Sequence, residues 1–261
     1  DGAPGHQEIE LALMRLAEVT DEDRYRELAT YFVDVRGNTD RFAWEHEHRD
    51  EIATLEFEDD EDEDDEDEDD EDGTDWDGPE VEPFDASYNQ AHAPLREQEA
   101  VEGHSVRAVY YFAGATDVAV ETDDGELLEH LESLWDNMTK RRMYVTGGIG
   151  SQHPGERFTT DYHLPNDTAY AETCAAIGSI FWSQRLFEAT GDARYHDLIE
   201  RQLYNATIVG ASLDGTEYFY DNPLESDGDR HREGWFECAC CPPNLARLLA
   251  SLERYVYATD D

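Results

Sequence analysis

The chain has 261 residues, of which 65 are acidic and only 19 basic, so its formal net charge is −46. Such a surface would repel the phosphates of nucleic acid, and no stretch approaches the roughly 20 apolar residues of a membrane span, so neither partner is expected. The hydrophobic content of 39% is enough for a folded core. We interpret the composition as halophilic, because concentrated salt screens the self-repulsion of like charges.

The N-terminal part predicts a helical hairpin. Apolar residues recur at helical spacing from Glu8 to Val19 and again from Tyr25 to Val33, with an acidic turn between them. The pattern returns 170 positions later with seven identical residues. These are Arg15, Leu16, Glu18, Thr20, Arg24, Tyr25 and Leu28, matched by Arg185, Leu186, Glu188, Thr190, Arg194, Tyr195 and Leu198. The repeat predicts one structural unit used twice, as in a ring or solenoid of helical hairpins. Chance similarity or convergent helix-turn chemistry is the alternative.

An acidic segment interrupts this helical pattern. Every residue from Asp59 to Asp72 is acidic, and like charges at every position prevent burial. We therefore predict a helical hairpin over residues 1–55, a disordered acidic insertion over 56–83, and a further helical region over 84–261. Weak calcium binding by the acidic run is the alternative function for it.

A glycine-rich segment, Tyr144 to Ser151, follows the next predicted helix, Glu126 to Lys140, and has the sequence YVTGGIGS. Its glycines resemble those of a phosphate-binding loop. No Gly-Lys-Ser/Thr ending follows, and the spacing of a dinucleotide-binding turn is missing, so the sequence does not favour a nucleotide site.

Thiols and carboxylates that could bind a metal lie in two later clusters. Glu172 and Cys174 are two positions apart, so on a regular helix they would diverge by about 200°; both can face one ion only if a helix begins here or is irregular. Cys238, Cys240 and Cys241 precede two prolines. Three thiolates and one carboxylate would complete a tetrahedral zinc site. Buried reduced cysteines in a helical core are the alternative, and either case favours a reducing, cytoplasmic location.

Several motifs in this order resemble glycoside hydrolase family 127, the β-L-arabinofuranosidases. They are PGHQEIELAL, YFVDVRG, EGHSVRA, YVTGGIGS, GERF, LPNDTAYAETCA, YFYDNPLES and CACCPPN. The resemblance implies an all-α fold, part of an (α/α)6 barrel. We expect the chain to lack the first barrel helices and the β-sandwich modules that follow the barrel in this family.

The same resemblance assigns chemistry to particular residues. It implies zinc bound by Glu172, Cys174, Cys240 and Cys241, with Cys240 as the nucleophile and Glu156 as the acid/base. A zinc-bound thiol is ionised at neutral pH, so Cys240 could attack the anomeric carbon while Glu156 protonates the departing oxygen, with net retention of configuration. Without the resemblance, Glu156 would be a solvated surface carboxylate.

The resemblance also implies a carbohydrate substrate that contacts His6, His104 and Tyr220, with Glu200 as a further member of the pocket. From the residues alone, His6 and His104 would be core or helix-capping histidines. The sequence leaves open whether the protein forms a homodimer. It also leaves open two other functions. One is a catalytically inactive carbohydrate-binding module that zinc stabilises, and the other is a different helical-toroid sugar enzyme, such as an epimerase or a lyase.

Overall fold

The structure is a computed structural model that describes residues 2–38, 40–49, 84–236 and 239–257. Within these ranges the chain forms eight α-helices. They are α1 (Ile9–Thr20), α2 (Asp23–Val35), α3 (Arg41–Glu47), α4 (Ser105–Glu121), α5 (Gly125–Arg141), α6 (Thr173–Thr190), α7 (Ala193–Gln202) and α8 (Cys241–Ala250). In the described ranges, β-structure is limited to isolated bridges, among them His104–Arg157 and Glu172–Asp221. The all-α prediction is therefore confirmed for this part of the chain.

Shorter helical turns connect these helices. They are the 3-10 turns Ala86–Asn89, Leu95–Glu97, Ile208–Gly210 and Leu252–Tyr255, and the π-helical turn Leu203–Thr207. The acidic insertion predicted for residues 56–83 lies outside the described residues. No helix in the described ranges is both long enough and apolar enough to span a membrane.

Helices α4 and α6 form the centre of the core and pack against each other along their lengths. Glycine allows this close approach: a Cβ atom at Gly178 of α6 would lie 2.6 Å from a methyl group of Val109 on α4. Trp182 of α6 is fully buried and donates a hydrogen bond from Nε1 to Thr116 Oγ1 at 3.1 Å. The indole and hydroxyl are thus both satisfied inside the core, which fixes the register of the two helices.

Three helix ends near the core carry capping interactions that their sequences favour. Asp124 accepts a hydrogen bond from the backbone N–H of Leu127 at the start of α5, and Asp192 accepts one from Arg194 at the start of α7. Helix α6 ends at Gly191, which has a φ of 69°. These caps set the connections on which the positions of the functional side chains depend.

A buried ion pair ties the N-terminal segment to the rest of the molecule. Arg36 and Glu10 are both fully buried, and Arg36 Nη2 lies 3.5 Å from Glu10 Oε1. The same guanidinium donates to the carbonyl oxygens of Pro4 and Asn89, at 2.6 and 3.0 Å. Arg36 therefore holds together the segment that carries His6 and the segment that leads to His104.

Candidate active site and metal centre

A cleft of about 610 Å³ opens at the end of the molecule where α4, α6 and α8 begin. Seven of the nine residues singled out in the sequence line it: His6, His104, Glu156, Glu172, Cys174, Tyr220 and Cys240. Cys241, the first residue of α8, is buried behind this lining at 1% exposure. Residues far apart in the sequence thus meet at one site.

Four potential metal ligands cluster at the floor of the cleft. One ligand atom from each of Glu172, Cys174, Cys240 and Cys241 lies within 4.8 Å of all the others. Cys241 Sγ is 3.3 Å from Cys174 Sγ and 3.7 Å from Cys240 Sγ. Glu172 Oε1 lies 3.5 Å from Cys240 Sγ and 3.6 Å from Cys241 Sγ. Sulfur ligands at about 2.3 Å from a tetrahedral zinc ion would be separated by about 3.7 Å, so these spacings fit such an ion.

The backbone explains how the two sequence clusters converge. Helix α6 begins at Thr173, so Glu172 precedes the helix with extended dihedral angles (φ −59°, ψ 139°) while Cys174 lies in its first turn. Of the two conditions that the sequence left open, a helix start or an irregular helix, the structure has the helix start. On the other side, α8 begins at Cys241 with prolines in its first turn, where their missing N–H costs nothing.

Charge and burial also fit a cation at this cluster. Glu172 is 1% exposed, and its Oε2 atom has no hydrogen-bond partner among the described residues. Burial raises the pKa of the Glu172 carboxyl, whereas hydrogen bonds from Cys174 and then Cys241 lower the pKa of the Cys240 thiol. A divalent cation would replace the shared protons and compensate the buried negative charge. Thiolate-rich donor sets favour zinc among the divalent metals.

Cys240 differs from the other two described cysteines in its exposure. Cys174 and Cys241 are buried, whereas Cys240 is half-buried and lines the cleft. Its Sγ atom lies 3.1 Å from the Tyr220 hydroxyl, and burial raises the pKa of that hydroxyl, so it stays protonated and can donate to the sulfur. Cys240 is thus a metal-ligand candidate that a molecule in the cleft can also reach.

Glu156 sits on a tightly held loop of the cleft wall. Its φ is 49°, in the left-handed region that non-glycine residues rarely adopt. The backbone carbonyl of Glu156 accepts hydrogen bonds from the N–H and the hydroxyl of Ser105, at 2.9 and 3.0 Å. Its own N–H donates to the carbonyl of His153 at 2.9 Å. The surroundings thus impose this conformation and fix where the carboxyl points.

His104 fixes the hydrogen bonding of Glu156. Its Nδ1 accepts a hydrogen bond from the backbone N–H of Val106 at 3.2 Å, so the proton of the neutral ring lies on Nε2. Nε2 is 2.9 Å from Glu156 Oε2. The resulting hydrogen bond is the largest cause that lowers the pKa of Glu156. His104 is therefore both the cap of α4 and a donor to the carboxylate.

His6 completes this side of the cleft. Its ring contacts that of His104 edge to face, with 6.2 Å between the ring centroids, and its Nδ1 lies 2.9 Å from the carbonyl oxygen of Gln7. Burial lowers the pKa of His6. At neutral pH it is an uncharged imidazole that can donate to or accept from a hydroxyl group.

Sequence reasoning missed Tyr170, which joins the two halves of the site. Burial raises the pKa of its hydroxyl, and the nearby carboxylates of Glu172 and Glu156 raise it further. The centroid of its ring lies 6.1 Å from that of Tyr220, so Tyr170 is close both to Glu156 and to the phenol that contacts Cys240. It lies inside the motif LPNDTAYAETCA, two residues before Glu172, but a tyrosine next to an apolar helix gave no separate signal.

One residue named from the sequence, Glu200, is not brought to the site. Glu200 is exposed on α7 and is not among the residues that line the cleft. Its neighbour Gln202 instead turns inward and donates a hydrogen bond to the carbonyl of Gly147 at 2.8 Å. Cys238 lies outside the described residues.

Comparisons with known proteins agree with one another. The family model described as "Beta-L-arabinofuranosidase, GH127 catalytic domain" matches residues 1–254. The chain is 40% identical to the non-reducing end β-L-arabinofuranosidase of Bifidobacterium longum subsp. longum, over the whole chain and 38% of that protein. It thus spans about two fifths of the length of this curated relative.

Solved structures point to the same family as the sequence comparisons. A GH127 β-L-arabinofuranosidase from Geobacillus stearothermophilus T6 superposes with a TM-score of 0.83 at 43% identity, covering 99% of this chain and 39% of that one. A second GH127 β-arabinofuranosidase gives a TM-score of 0.80 at 40% identity, covering 99% of this chain and 34% of its own. These matches confirm the family resemblance and the helical fold that it implied.

Proposed function

The chain belongs to glycoside hydrolase family 127, and from this premise we propose that it carries the catalytic site of a retaining β-L-arabinofuranosidase. The observation that carries the proposal is the half-buried Cys240 thiol, which lies within a cluster of metal-ligand candidates and lines the same cleft as Glu156. A nucleophile and an acid/base that line one cleft are the two groups that a retaining glycosidase requires.

We assign zinc to Glu172, Cys174, Cys240 and Cys241. When bound, zinc would keep the thiols ionised at neutral pH. The thiolate of Cys240 attacks the anomeric carbon of the sugar, a carbon–sulfur bond forms, and the bond from that carbon to the leaving-group oxygen breaks. Tyr220 orients the sulfur through its hydroxyl, 3.1 Å away.

Glu156 supplies the proton to the departing oxygen. In the second step Glu156 takes a proton from water, the water oxygen bonds to the anomeric carbon, and the carbon–sulfur bond breaks. Two displacements retain the configuration.

His6, His104 and Tyr220 are the polar groups proposed to contact the sugar hydroxyls. All three line the cleft, and the two imidazoles contact each other, so they offer donors and acceptors within one small area. Such polar groups can exchange hydrogen bonds with the hydroxyls of an uncharged sugar.

We also propose that the protein works in concentrated salt and in a reducing compartment such as the cytoplasm. The support is the net charge of −46 and the clustering of three free thiols, which oxidation would remove as ligands. Thermal unfolding in dilute buffer and in molar potassium chloride tests the first part: the midpoint should rise with salt. A midpoint independent of salt would contradict it.

Turnover of nitrophenyl β-L-arabinofuranoside by the protein expressed from its complete gene tests the catalytic assignment. Cys240→Ser should lower kcat by about 1000-fold or more, since a serine hydroxyl is a far weaker nucleophile. Glu156→Gln should lower kcat by about 100-fold on a disaccharide and less on the nitrophenyl substrate, whose leaving group needs little protonation. Glu99→Gln, an exposed carboxylate outside the cleft, is the control. Folded, zinc-replete protein that hydrolyses no pentofuranoside would favour the non-catalytic binding module instead.

A further inference from the structure

A second cavity of about 480 Å³ adjoins the cleft. Aromatic side chains of Phe42, Phe84 and Tyr88 line it, and Glu45 and His46 of α3 add polar groups. It shares Tyr88 with the cleft. Its volume falls in the range of ordinary small-molecule pockets. None of the metal-ligand candidates lines it, so it is distinct from the proposed metal centre.

The loop of Glu156 forms part of the wall of both cavities. Gly155 and Arg157, the neighbours of Glu156 in the chain, line the second cavity, whereas Glu156 itself lines the cleft. Arg157 is held by Asp85 and by the hydroxyl of Ser87, the latter at 2.7 Å. The wall between the two cavities is thus fixed before any ligand arrives, as a binding site requires.

The chemistry of the proposed reaction places the leaving group on this side. Cys240 must approach the anomeric carbon from the face opposite to the bond that breaks, and Glu156 must touch the oxygen of that bond. The leaving group therefore extends beyond Glu156, away from the thiol. The second cavity is the one whose wall includes both neighbours of Glu156.

We propose that this second cavity is the leaving-group subsite and that it takes a neutral sugar. The proposal rests on the proposed function. Exposed ring faces bind the C–H faces of sugars, and Phe84 is 40% exposed. Tyr88, which lines both cavities, adds a phenol hydroxyl that can bond a sugar hydroxyl. Sugars offer hydroxyls that match it and the polar groups of α3.

Calorimetry can measure the subsite without turnover. Complete protein carrying Glu156→Gln is titrated with methyl β-L-arabinofuranoside, which fills the cleft alone, and with a β-L-arabinofuranosyl disaccharide, which would reach the second cavity. We expect the disaccharide to bind more tightly than the methyl glycoside. The further change Phe84→Ala should reduce that advantage about fivefold, since one aromatic contact is lost.

Trp44→Ala is the matched control. Trp44 lies on α3 and, like Phe84, is an exposed aromatic residue, with 43% of its surface exposed, but it stacks on His48 and does not line the cavity. The change Trp44→Ala should leave the ratio of the dissociation constants of the two ligands within twofold of its value without that change. If Phe84→Ala loses its helical circular dichroism, Phe84→Leu, which removes the ring face but keeps an apolar side chain, carries the same comparison.

The outcomes separate the two proposals. Binding of the methyl glycoside with no added affinity for the disaccharide, or an equal loss in Phe84→Ala and Trp44→Ala, would overturn the leaving-group subsite alone. Failure of both ligands to bind would overturn the proposed function and, with it, the subsite. A disaccharide advantage that Phe84→Ala reduces and Trp44→Ala preserves would support both.

Discussion

The hairpins α1–α2 and α6–α7 share their local chemistry but differ in burial. In each, a threonine in the last turn of the first helix bonds back to the carbonyl four residues earlier at 2.7 Å: Thr20 to Leu16, and Thr190 to Leu186. Each turn has a residue with positive φ. The side chains of Leu16 and Leu28 are about 40% exposed, whereas Leu186 and Leu198 are buried.

The contrast extends to the paired arginine and tyrosine. Arg24 lies over the ring of Tyr25 at 4.7 Å, and Arg194 over that of Tyr195 at 4.6 Å. Only the second tyrosine also donates to a carboxylate, Glu132, at 2.6 Å. Local sequence therefore determines the turn, while burial depends on neighbours supplied by other helices. In α6–α7 these neighbours are α4, α5 and the metal-ligand cluster.

Metal removal should produce the largest difference in stability between the two hairpins. Cys174 lies in the first turn of α6, whereas α1 and α2 contribute no ligand to the described cluster. A site loaded at 1000 times its Kd would stabilise the fold by about 4 kcal/mol, so chelation should lower the thermal midpoint by several degrees. Hydrogen exchange should then increase at the starts of α6 and α8 more than in α1–α2. Equal increases throughout would contradict an anchored second hairpin.

Leucines at equivalent positions give the next largest contrast. Leu186→Ala removes a fully buried side chain and should cost about 3 kcal/mol of unfolding free energy. Leu16→Ala, at 39% exposure, should cost about 1 kcal/mol. Urea denaturation with unchanged m-values measures both. Similar losses would show that α1–α2 is covered in solution by something outside the described residues.

Hydroxyl deletion tests the tyrosine pair. Tyr195→Phe removes a hydrogen bond to the Glu132 carboxylate and should cost about 1.5 kcal/mol. Tyr25→Phe removes only the contact with exposed Arg24 and should cost about 0.5 kcal/mol. In a double-mutant cycle with Glu132→Gln, the loss in Tyr195→Phe should shrink, because the charged acceptor is gone. If Tyr195→Phe costs the same free energy of unfolding with Glu132→Gln as without it, the cost comes from packing of the ring and not from the hydrogen bond.

The helices and much of the site could be predicted because their signals are local. Apolar spacing predicts α1 and α2. The two-residue separation of Glu172 and Cys174 leaves a helix start or an irregular helix for a shared ion, and the structure has the helix start at Thr173. The seven identities correctly predicted a second hairpin of the same local construction. A family resemblance carried by several ordered motifs then assigned seven of the fifteen residues that line the cleft.

Contacts between distant segments could not be predicted in this way. The His104–Glu156 pair depends on how the loop before α6 folds over the start of α4, and no periodicity encodes that closure. Tyr170 was missed for the same reason. Glu200 lies next to residues that do turn inward, but it faces solvent on α7, and a carboxylate in so acidic a chain carries little positional signal.

Substitutions in the two hairpin turns should change the stability of the protein in opposite directions, and these should be the smallest of the predicted effects. Gly191 has a φ of 69°, and an added Cβ would meet nothing within 4 Å, so Gly191→Ala carries only backbone strain, about 1 kcal/mol. Asp21 holds a similar conformation, with a φ of 56°, as a non-glycine residue, so Asp21→Gly should stabilise by about 0.5 kcal/mol. Asp21→Asn removes the charge alone and is the control. Thermal unfolding of the three variants under one salt condition measures these changes. Destabilisation by Asp21→Gly would mean that the aspartate makes an interaction in solution that its glycine counterpart in the second hairpin does not need.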